Sequence, residues 1–578
     1  MHRVLRASLG LLLLATTSCG GVHGSVPASI YASTATIRVS VPASGSSTNA
    51  RLRRAMDIAS STMGLSVDVY AHGDRATILA STTADISSSS PQCTANSGGG
   101  RSCTVSLTVP AGNDDFVFTT YDATPIAGSF AGAQQLGYGL DSVTVVYGSP
   151  ATIGVTLSSV LASVALTVTP AALHLLIPAT ATLGVVALDA NNNVIVSSGF
   201  VDAQGDPITL SFTASPSGFV TFSPSTLTAP ATGGVHVVFS GNNGGAGNFP
   251  ITLTASSSTG SVVNATANLA MQAPTFTSIS DPNLSSLNPY HENILFDPSG
   301  GIYYPTSANL GGISYYSGLG SSVSSNYAAT ASEPIRGGIA SVGPGALFAI
   351  AGNEELTFSA PPSSTIGPGP NSNAAPVPNG SAMVYDQIRG TLDYASGTVL
   401  ALYPLNSGSP TTASLGTNTH AGIAIDTSGN LWIVDYADEL LLEWNGSSVQ
   451  QVYNSSAPLF DVVTTSSGIF LTVQGTNPAI VQLNSSGSVL QTIAMPSNVM
   501  PWYMCADRAQ PGVVWFDYIT NAQIGIGRVD ASVTPATVST VADVSGPNGS
   551  RAGAIGCNPN GLMYMLFDGT DSVVQVQP

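Results

Sequence analysis

The feature that most constrains this chain is a short pattern that recurs seven times between about residue 290 and the C-terminus. Each copy is an apolar run, a polar turn and a second apolar run, as in 423-IAIDTSGNLWIVDY-436. The turn residues Asp297, Ser341, Asp386, Asp426, Thr464, Asp507 and Asn558 are spaced by 44, 45, 40, 38, 43 and 51 residues. Repeats of this length that carry several short strands are typical of a β-propeller. The sequence therefore predicts a seven-bladed β-propeller over residues 274–578.

The last repeat is one strand short. It ends after its third strand, 572-SVVQVQ-577, while the segment 274-PTFTSIS-280 precedes the first repeat and has no partner of its own. An unpaired edge strand invites aggregation, and closing a ring of sheets removes the edge. We therefore predict that residues 274–280 complete the last blade.

Upstream of the repeats, strands alternate apolar and polar residues, as in 64-GLSVDVYA-71, 115-DFVFTTYDA-123 and 208-ITLSFTAS-215. This alternation is typical of half-buried antiparallel strands. It predicts a β-sandwich over residues 37–162 and a second one over residues 163–273. The predicted fold class is all-β, with two β-sandwich (Ig-like) domains followed by a seven-bladed β-propeller.

The second sandwich carries a family resemblance. The segments 187-ALDANNNVIV-196 and 241-GNNGGAGNFPITLTAS-256 resemble bacterial Ig-like domains of the invasin type. This resemblance implies a spacer or an adhesive stalk and no catalytic activity.

The N-terminus reads as a targeting segment. Arg3 and Arg6 precede the apolar run 9–15 and the small residues 16-TTS-18, so residues 1–18 are predicted to be a signal peptide. Cys19 follows directly, which resembles the lipobox of bacterial lipoproteins and implies lipidation of Cys19 and a membrane partner through that anchor. Residues 19–36 are predicted to be a tether. Thr16 stands where lipoboxes have Leu, so simple secretion stays open as an alternative. Either route predicts a bacterial cell-envelope or secreted protein outside the cytoplasm.

Composition limits the classes of partner that this protein is expected to bind. The formal net charge is −18, and all 13 basic residues are Arg. Nucleic-acid binding needs basic patches, so no nucleic-acid partner is expected. Only 8% of the residues are charged. A secreted β-protein explains this, and adaptation to acid is the alternative, because few carboxylates limit the charge gained as pH falls.

Four cysteines fit an oxidising compartment. Cys93 and Cys103 bracket a short polar loop that a disulfide would close. Cys505 and Cys557 each lie just before the turn residue of adjacent repeats, which predicts a second disulfide, with two buried thiols as the alternative.

The repeats resemble the streptogramin (virginiamycin B) lyase and NHL superfamily of propellers, through 422-GIAIDTSGNLWIVDY-436 and 512-GVVWFDYITNAQIGIGRVD-530. The lyases imply seven blades, a Mg²⁺ ion and a His/Glu set at the central funnel. His420 matches the lyase position of a His, and Asp435 and Asp517 match the acidic residue that ends a lyase strand. A second His beside a Glu late in the chain is missing.

Spacing also suggests a ligand site. His291 and His420 each lie six residues before a turn residue of the repeat, and Glu292, Arg336 and Arg551 fall within one residue of that level. All five residues are therefore predicted to line one mouth of the central channel and to bind a ligand there. No metal site and no cofactor are predicted, apart from Mg²⁺ if lyase chemistry holds.

Three functions follow from these patterns. The first is a cell-envelope lipoprotein whose propeller head binds a peptide, glycan or protein ligand, or scaffolds one, without catalysis. The second is a streptogramin-lyase-like lyase or hydrolase acting at the funnel, with His291 or His420 as the base. The third is a purely structural surface protein.

Overall fold

A computed structural model describes most of the chain after residue 31. The described residues are 32–42, 58–97, 99–154, 156–196, 199–231, 233–241, 246–258, 260–282, 284, 293–297, 300–306, 312–318, 325–328, 335–343, 346–351, 354–359, 366–368, 382–405, 410–416, 420–520, 523–542, 551–558, 560–568 and 572–578. Secondary structure in this part of the chain consists of 46 strands. Within it, no helix is long and apolar enough to cross a membrane.

The first domain has nine strands in two sheets. They are β1 (Ala32–Val41), β2 (Gly64–Ala71), β3 (Ile78–Asp85), β4 (Cys93–Ala95), β5 (Arg101–Pro110), β6 (Gly112–Tyr121), β7 (Gln135–Val145), β8 (Ala151–Ile153) and β9 (Ser158–Ser159). The sheet orders are β4-β5-β1-β8 and β3-β2-β6-β7-β9. Inward-facing residues such as Ile37, Val67 and Phe118 are fully buried in one core, as expected of alternating strands.

The predicted tether is too long at its C-terminal end. β1 begins at Ala32, so residues 32–36 of the 19–36 segment belong to a sheet. The reason is alternation: Ser33, Ala35 and Ile37 are buried on one face, and β1 pairs along its whole length with β5.

The second domain also has nine strands in two sheets. They are β10 (Ser163–Thr169), β11 (Ala172–His174), β12 (Ala179–Leu188), β13 (Thr209–Ala214), β14 (Thr221–Ser223), β15 (Thr226–Leu227), β16 (Val235–Phe239), β17 (Gly247–Ser257) and β18 (Gly260–Gln272). The sheet orders are β10-β12-β16-β14 and β11-β18-β17-β13-β15. Leu183, Leu210 and Leu253 join the two sheets in the core.

The remaining strands form seven four-stranded antiparallel sheets, which we number as blades 1 to 7. Blade 1 holds β20 (Leu295–Phe296), β21 (Ile302–Thr306), β22 (Gly312–Tyr316) and β23 (Ser325–Ala328); blade 2 holds β24 (Ile335–Gly343), β25 (Ala346–Ala351), β26 (Glu354–Ser359) and β27 (Ile366–Pro368). Blade 3 holds β28 (Ala382–Asp386), β29 (Thr391–Ser396), β30 (Val399–Pro404) and β31 (Thr411–Ser414); blade 4 holds β32 (His420–Ile425), β33 (Leu431–Asp435), β34 (Leu440–Trp444) and β35 (Val449–Asn454).

Blades 5 to 7 complete the ring. Blade 5 holds β36 (Leu459–Thr465), β37 (Gly468–Val473), β38 (Ala479–Leu483) and β39 (Val489–Ala494); blade 6 holds β40 (Pro501–Ala506), β41 (Val513–Thr520), β42 (Gln523–Asp530) and β43 (Thr537–Ala542). Blade 7 holds β44 (Arg551–Cys557), β45 (Met563–Asp568), β46 (Ser572–Gln577) and β19 (Thr275–Ser280). The first strands of successive blades contact one another around the centre, so the predicted propeller fold is confirmed.

The predicted closing strand is confirmed. β19 pairs antiparallel with β46 from Thr275 opposite Gln577 to Ser280 opposite Ser572. Ile279 of β19 is fully buried and packs in a cluster shared by blades 1 and 7, together with Tyr304 and Tyr564. The ring is therefore closed by residues that lie almost 300 positions before the strand they join.

Carboxylates explain why the repeat carries Asp at its turns. Asp426 Oδ1 accepts hydrogen bonds from the backbone N–H groups of Ser428 and Asn430, and its Oδ2 accepts one from Trp432 Nε1 at 3.1 Å. Asp507 binds its own turn and the Nε1 of Trp515 in the same way. The side chain thus closes the turn and ties it to the second strand.

The turn residue of blade 5 is one position later than predicted. Thr465 Oγ1 accepts from the N–H of Ser467 at 3.1 Å, as Asp426 does within blade 4. Thr464 instead donates to the carbonyl of Ile425 in blade 4 at 2.6 Å. Thr464 and Thr465 are identical residues at adjacent positions, so the sequence pattern does not show which of them closes the turn. The register of β36 against β37 shows that it is Thr465.

Both predicted disulfides are present. Cys93 and Cys103 lie directly opposite each other on β4 and β5, with Cα atoms 4.0 Å apart. Cys505 and Cys557 join the first strands of blades 6 and 7 across 5.6 Å between Cα atoms. The second bond ties the closing blade to its neighbour.

We expect the closing strand to carry much of the stability of the ring. Ile279→Ala should lower the free energy of unfolding by about 2–5 kcal/mol, because a buried side chain is lost and a cavity remains. Thr277→Ala, at an exposed position of the same strand, should change it by less than about 0.5 kcal/mol. All four tryptophans lie in blades 4 to 6, so urea unfolding followed by tryptophan fluorescence reports on the ring. Equal effects of the two substitutions would contradict this role.

Candidate functional site

A cavity of about 430 Å³ lies among the first strands of the blades, at the centre of the ring. Blades 1, 2, 3, 6 and 7 contribute its described walls. The lining residues are Asn293, Ile294, Leu295, Phe296, Ile339, Ala340, Ser341, Met383, Val384, Tyr385, Cys505, Ala506, Arg508, Ile555, Gly556 and Cys557. The walls are mainly apolar, and their polar groups are few and converge from different blades, which is typical of a small-ligand site.

Arg508 is the one charged residue among the described residues that line this cavity. It directly follows the turn residue Asp507, whose carboxylate is engaged by Ala509 N, Gln510 N and Trp515 Nε1. Arg508 is exposed, and the ion pairs of the described residues do not include it.

The predicted ligand-binding residues lie at the other end of the first strands. Arg336, His420 and Arg551 stand at or beside the start of β24, β32 and β44, and these strands run in the same direction along the channel. Their backbones therefore lie at one mouth, while their side chains are outside the described part. His291 and Glu292 lie outside the described residues altogether. The five predicted residues are not among the described residues that line the cavity.

The second domain lies at the opposite mouth. A smaller cavity of about 160 Å³ is lined by Ile177 of the second domain together with the turn residues Asp507 and Asn558 and with Arg528. The turns that follow the first strands thus face the second domain. The mouth marked by His420 and Arg551 is on the far side of the ring from that domain.

The two sandwich domains also contact each other. Leu161 N donates to the carbonyl of Val201 at 3.0 Å, and Gln135 Nε2 donates to the carbonyl of Ala203 at 2.9 Å. Both hydrogen bonds cross the boundary between the first and the second domain.

First strands in five blades carry a bulge or irregularity near their start. A bulge removes backbone N–H groups from the ladder, and they then need other acceptors. In β40 the bulge spans Tyr503, whose N–H donates to Asp517 Oδ1 at 2.8 Å, and the N–H of Met504 donates to Asp461 Oδ2 at 2.7 Å. In the same way, Asn293 Oδ1 accepts a hydrogen bond from Ile339 N at 2.7 Å.

This arrangement corrects the equivalence of Asp435 and Asp517 that the lyase resemblance implied. Asp435 pairs in register with His420, and its Oδ1 accepts from Ala437 N at the end of β33. Asp517 lies one position earlier in its strand, opposite the bulge of β40. Successive strand residues point to opposite faces, so the two carboxylates occupy different environments despite similar sequence contexts.

Asp461 and Asp517, which accept hydrogen bonds from the bulge of blade 6, are surrounded by protein atoms. Burial raises the pKa of Asp461 to about 7, although backbone hydrogen bonds from Met504 and Val462 oppose the shift. Burial also raises the pKa of Asp517 well above its ordinary value, and the nearby Asp461 charge adds to the rise. Their hydrogen bonds are with backbone groups of the first strands, which indicates a structural role.

Blade 3 holds a third carboxylate of this kind. Asp393 on β29 is fully buried, and burial raises its pKa to about 7, aided by the Asp386 charge and opposed by the Thr391 hydroxyl and Arg389. Arg389 forms an ion pair with Asp386 at 2.5 Å and lies over the ring of Trp444 in blade 4. This group joins two blades away from the central cavity.

The described residues contain no group of three or more His, Cys, Asp or Glu side chains placed to hold a metal ion. Mg²⁺ takes oxygen ligands in near-octahedral geometry, and the carboxylates of Asp461 and Asp517 are already acceptors for backbone N–H groups. His291, Glu292 and the side chain of His420 lie outside the described part, so the Mg²⁺ ion that the lyase resemblance implied stays a prediction.

Sequence reasoning missed Arg508, Tyr385 and Asn293. Arg508 is one of only 13 basic residues and directly follows a turn residue of the repeat, which is a signal that a blade alignment offers. Tyr385 and Asn293 carried no such signal, because their contribution to the cavity depends on how the blades meet.

No protein-family model matches the sequence, and no curated protein matches it either. Solved structures with a similar fold include virginiamycin B lyase from Staphylococcus aureus, at 12% identity over 53% of this chain and 99% of that one, with a TM-score of 0.44. YCF48 bound to D1 peptide matches at 9% identity over 52% of this chain and 97% of that one, with a TM-score of 0.41. The extracellular domain of a hybrid two-component system from B. thetaiotaomicron matches at 15% identity over 53% and 40%, with a TM-score of 0.40. These similarities concern the propeller and carry no argument about activity.

The buried carboxyls predict higher stability in acid. The folded protein keeps Asp393 protonated up to about pH 7, whereas the unfolded chain loses that proton near its ordinary value of 3.8. Between about pH 4 and 7 the folded state thus binds more protons than the unfolded state. The contribution of Asp393 to the free energy of unfolding is therefore fully present below about pH 4 and is lost as pH rises through about 7. Asp393→Asn should reduce the slope of the free energy of unfolding against pH. The loss of that free energy between pH 5 and 8 should become smaller by an amount on the order of a few kcal/mol.

Urea unfolding at several pH values measures this slope. Asp141→Asn on β7 of the first domain is the matched control and should leave the slope of the propeller unchanged. An unchanged slope in Asp393→Asn would show that this carboxyl does not titrate as its burial requires.

Proposed function

We propose that this chain is a bacterial cell-envelope lipoprotein whose propeller binds a ligand without catalysis. The two sandwiches are immunoglobulin-like domains that form a stalk, the seven blades form the head, and Cys19 carries the lipid anchor. The ligand is a peptide, a glycan or part of a protein. The observation that carries the proposal is the central cavity of about 430 Å³, which falls within the usual size range of ligand sites.

The use of the carboxylates supports binding over catalysis. A general base must reach the proton of a bound substrate. Asp461 and Asp517 instead accept backbone N–H groups of β40, so their oxygens hold the strand in shape. The described cavity walls offer shape, apolar surface and a single cation, which are properties of a binding site.

Placement of the stalk supports the head-and-stalk arrangement. The second domain lies at the mouth formed by the turns of blades 6 and 7, and the other mouth is on the far side of the ring. Two disulfides fit a compartment outside the cytoplasm, where a lipid anchor at Cys19 would hold the protein.

Ligand binding is testable with arrays of peptides and glycans probed with the labelled full-length chain. We expect bound array members and a loss of binding of more than about tenfold in Ala506→Phe, because the larger side chain fills the cavity. Ser428→Phe, at an exposed turn of blade 4, should bind as the parent does. A thermal melt of each variant separates filling of the cavity from unfolding. An array without bound members favours a purely structural protein, and binding that Ala506→Phe leaves intact would contradict the central cavity as the ligand site.

The anchor has its own test. Cys19→Ser should move the protein from the membrane fraction to the soluble fraction and abolish labelling by a palmitate analogue in a bacterial host. Cys93→Ser combined with Cys103→Ser is the control, because it removes two other cysteines together with their disulfide but leaves Cys19 in place. A Cys19→Ser protein that stays in the membrane fraction would contradict the anchor and leave simple secretion or another attachment.

One observation favours a lyase or hydrolase as the second candidate. His420 pairs in register with Asp435, which is fully buried and whose Oδ2 has no hydrogen-bond partner among the described residues. A carboxylate beside a histidine can orient it as a general base. Our proposal predicts that titration with MgCl₂ in a calorimeter gives no binding heat and that His420→Ala leaves array binding within about twofold. Binding of Mg²⁺ together with turnover of a cyclic peptide lactone that His420→Ala and His291→Ala abolish would favour the enzyme.

A further inference from the structure

We infer that the central cavity selects a ligand with an apolar body and one carboxylate, and that Arg508 binds the carboxylate. This inference rests on the proposed ligand-binding function and adds the chemical class of the ligand. The carboxylate belongs either to a small free acid or to the C-terminus of a peptide, since both present the same group.

The distribution of charge is the first argument. The chain carries 31 acidic and 13 basic residues, yet the described lining of the cavity contains no acidic residue and one arginine. An apolar wall with a single positive charge favours a ligand with one negative charge. A second anionic group would lie against Ile339 or Met383 without a partner, and burying an unpaired charge is costly.

The state of Arg508 is the second argument. The other ring arginines whose side chains the structure describes are already paired: Arg389 with Asp386, and Arg528 with Asp530 at 3.1 Å. Arg508 has no ion pair among the described residues, and the neighbouring Asp507 carboxylate is engaged by its own turn and by Trp515. The guanidinium of Arg508 is therefore available for a carboxylate, which it can bind through two parallel hydrogen bonds.

The position of Arg508 sets the orientation of the ligand. Arg508 lines both the central cavity and the smaller cavity beside Ile177, so it lies at the end of the channel that faces the stalk. The carboxylate is thus held at that end. The apolar body lies between the first strands, against Ile294, Ile339 and Ile555.

Local rigidity supports Arg508 as a selective contact. Arg508 is three residues after Cys505, whose disulfide to Cys557 forms part of the cavity wall. The turn of Asp507 is closed by two backbone hydrogen bonds and one from the indole of Trp515. A backbone held in this way loses little freedom when the ligand binds.

The experiment uses matched pairs of probes with the full-length protein. One pair is 4-phenylbutyrate and 4-phenylbutanamide, and the other is acetyl-Leu-Leu with a free C-terminus and the same dipeptide with a C-terminal amide. We expect each carboxylate to bind roughly 10- to 100-fold more tightly than its amide in calorimetry, as a charge-assisted pair of hydrogen bonds requires. Preference for the first or the second pair distinguishes a free acid from a peptide C-terminus.

The variants assign the preference to Arg508. Arg508→Ala should bring each acid and its amide within about threefold of each other, and Arg508→Lys should keep part of the preference, because charge remains but the bidentate geometry is lost. Arg38→Ala, at an exposed position of β1, should leave the preference unchanged. A thermal melt confirms that each variant is folded.

The outcomes separate this inference from the function beneath it. An amide that binds as tightly as its acid, a preference that survives Arg508→Ala, or no binding of either acid overturns the inference. Array ligands that need the cavity still support the binding head in all three cases. If the arrays show no ligand either, the proposed function itself is wrong.

Discussion

The pairing of β19 with β46 is the interaction on which the ring depends. Six consecutive residue pairs join the strand before blade 1 to the last strand of the chain, and Ile279 fills the core between blades 1 and 7. Without this pairing, blade 7 would expose the edge of β46, and blades 7 and 1 would be held together by side-chain contacts alone. The central cavity exists because the ring is closed.

Bulges in the first strands explain the buried carboxylates. Five of these strands carry a bulge or irregularity. Bulges leave backbone N–H groups without strand partners, and Asp461, Asp517 and Asn293 accept them. The carboxyls are consequently desolvated, which tilts the stability of the protein toward acid and agrees with the low charge content of the chain.

The two mouths of the ring have different surroundings. The predicted residues His420 and Arg551 begin their strands at the mouth away from the second domain, while Arg508 and the described cavity lie toward the turns that face Ile177. A pattern search finds residues at equal distance from each turn, so it predicts residues at one mouth of the channel. It did not find Arg508, because a single arginine after a turn becomes significant only when five blades surround it with apolar walls.

The repeat, the all-β class, the closing strand and both disulfides could be predicted from the sequence, because spacing, alternation and cysteine positions are local or periodic properties of the chain. The details that depend on strand register are visible only in the folded protein. The turn residue of blade 5 is Thr465 and not Thr464, Asp517 and Asp435 are not equivalent positions, and β1 begins at Ala32. A shift of one residue reverses the face of a strand while barely changing the pattern, so only pairing with a neighbouring strand determines which side chain reaches the site.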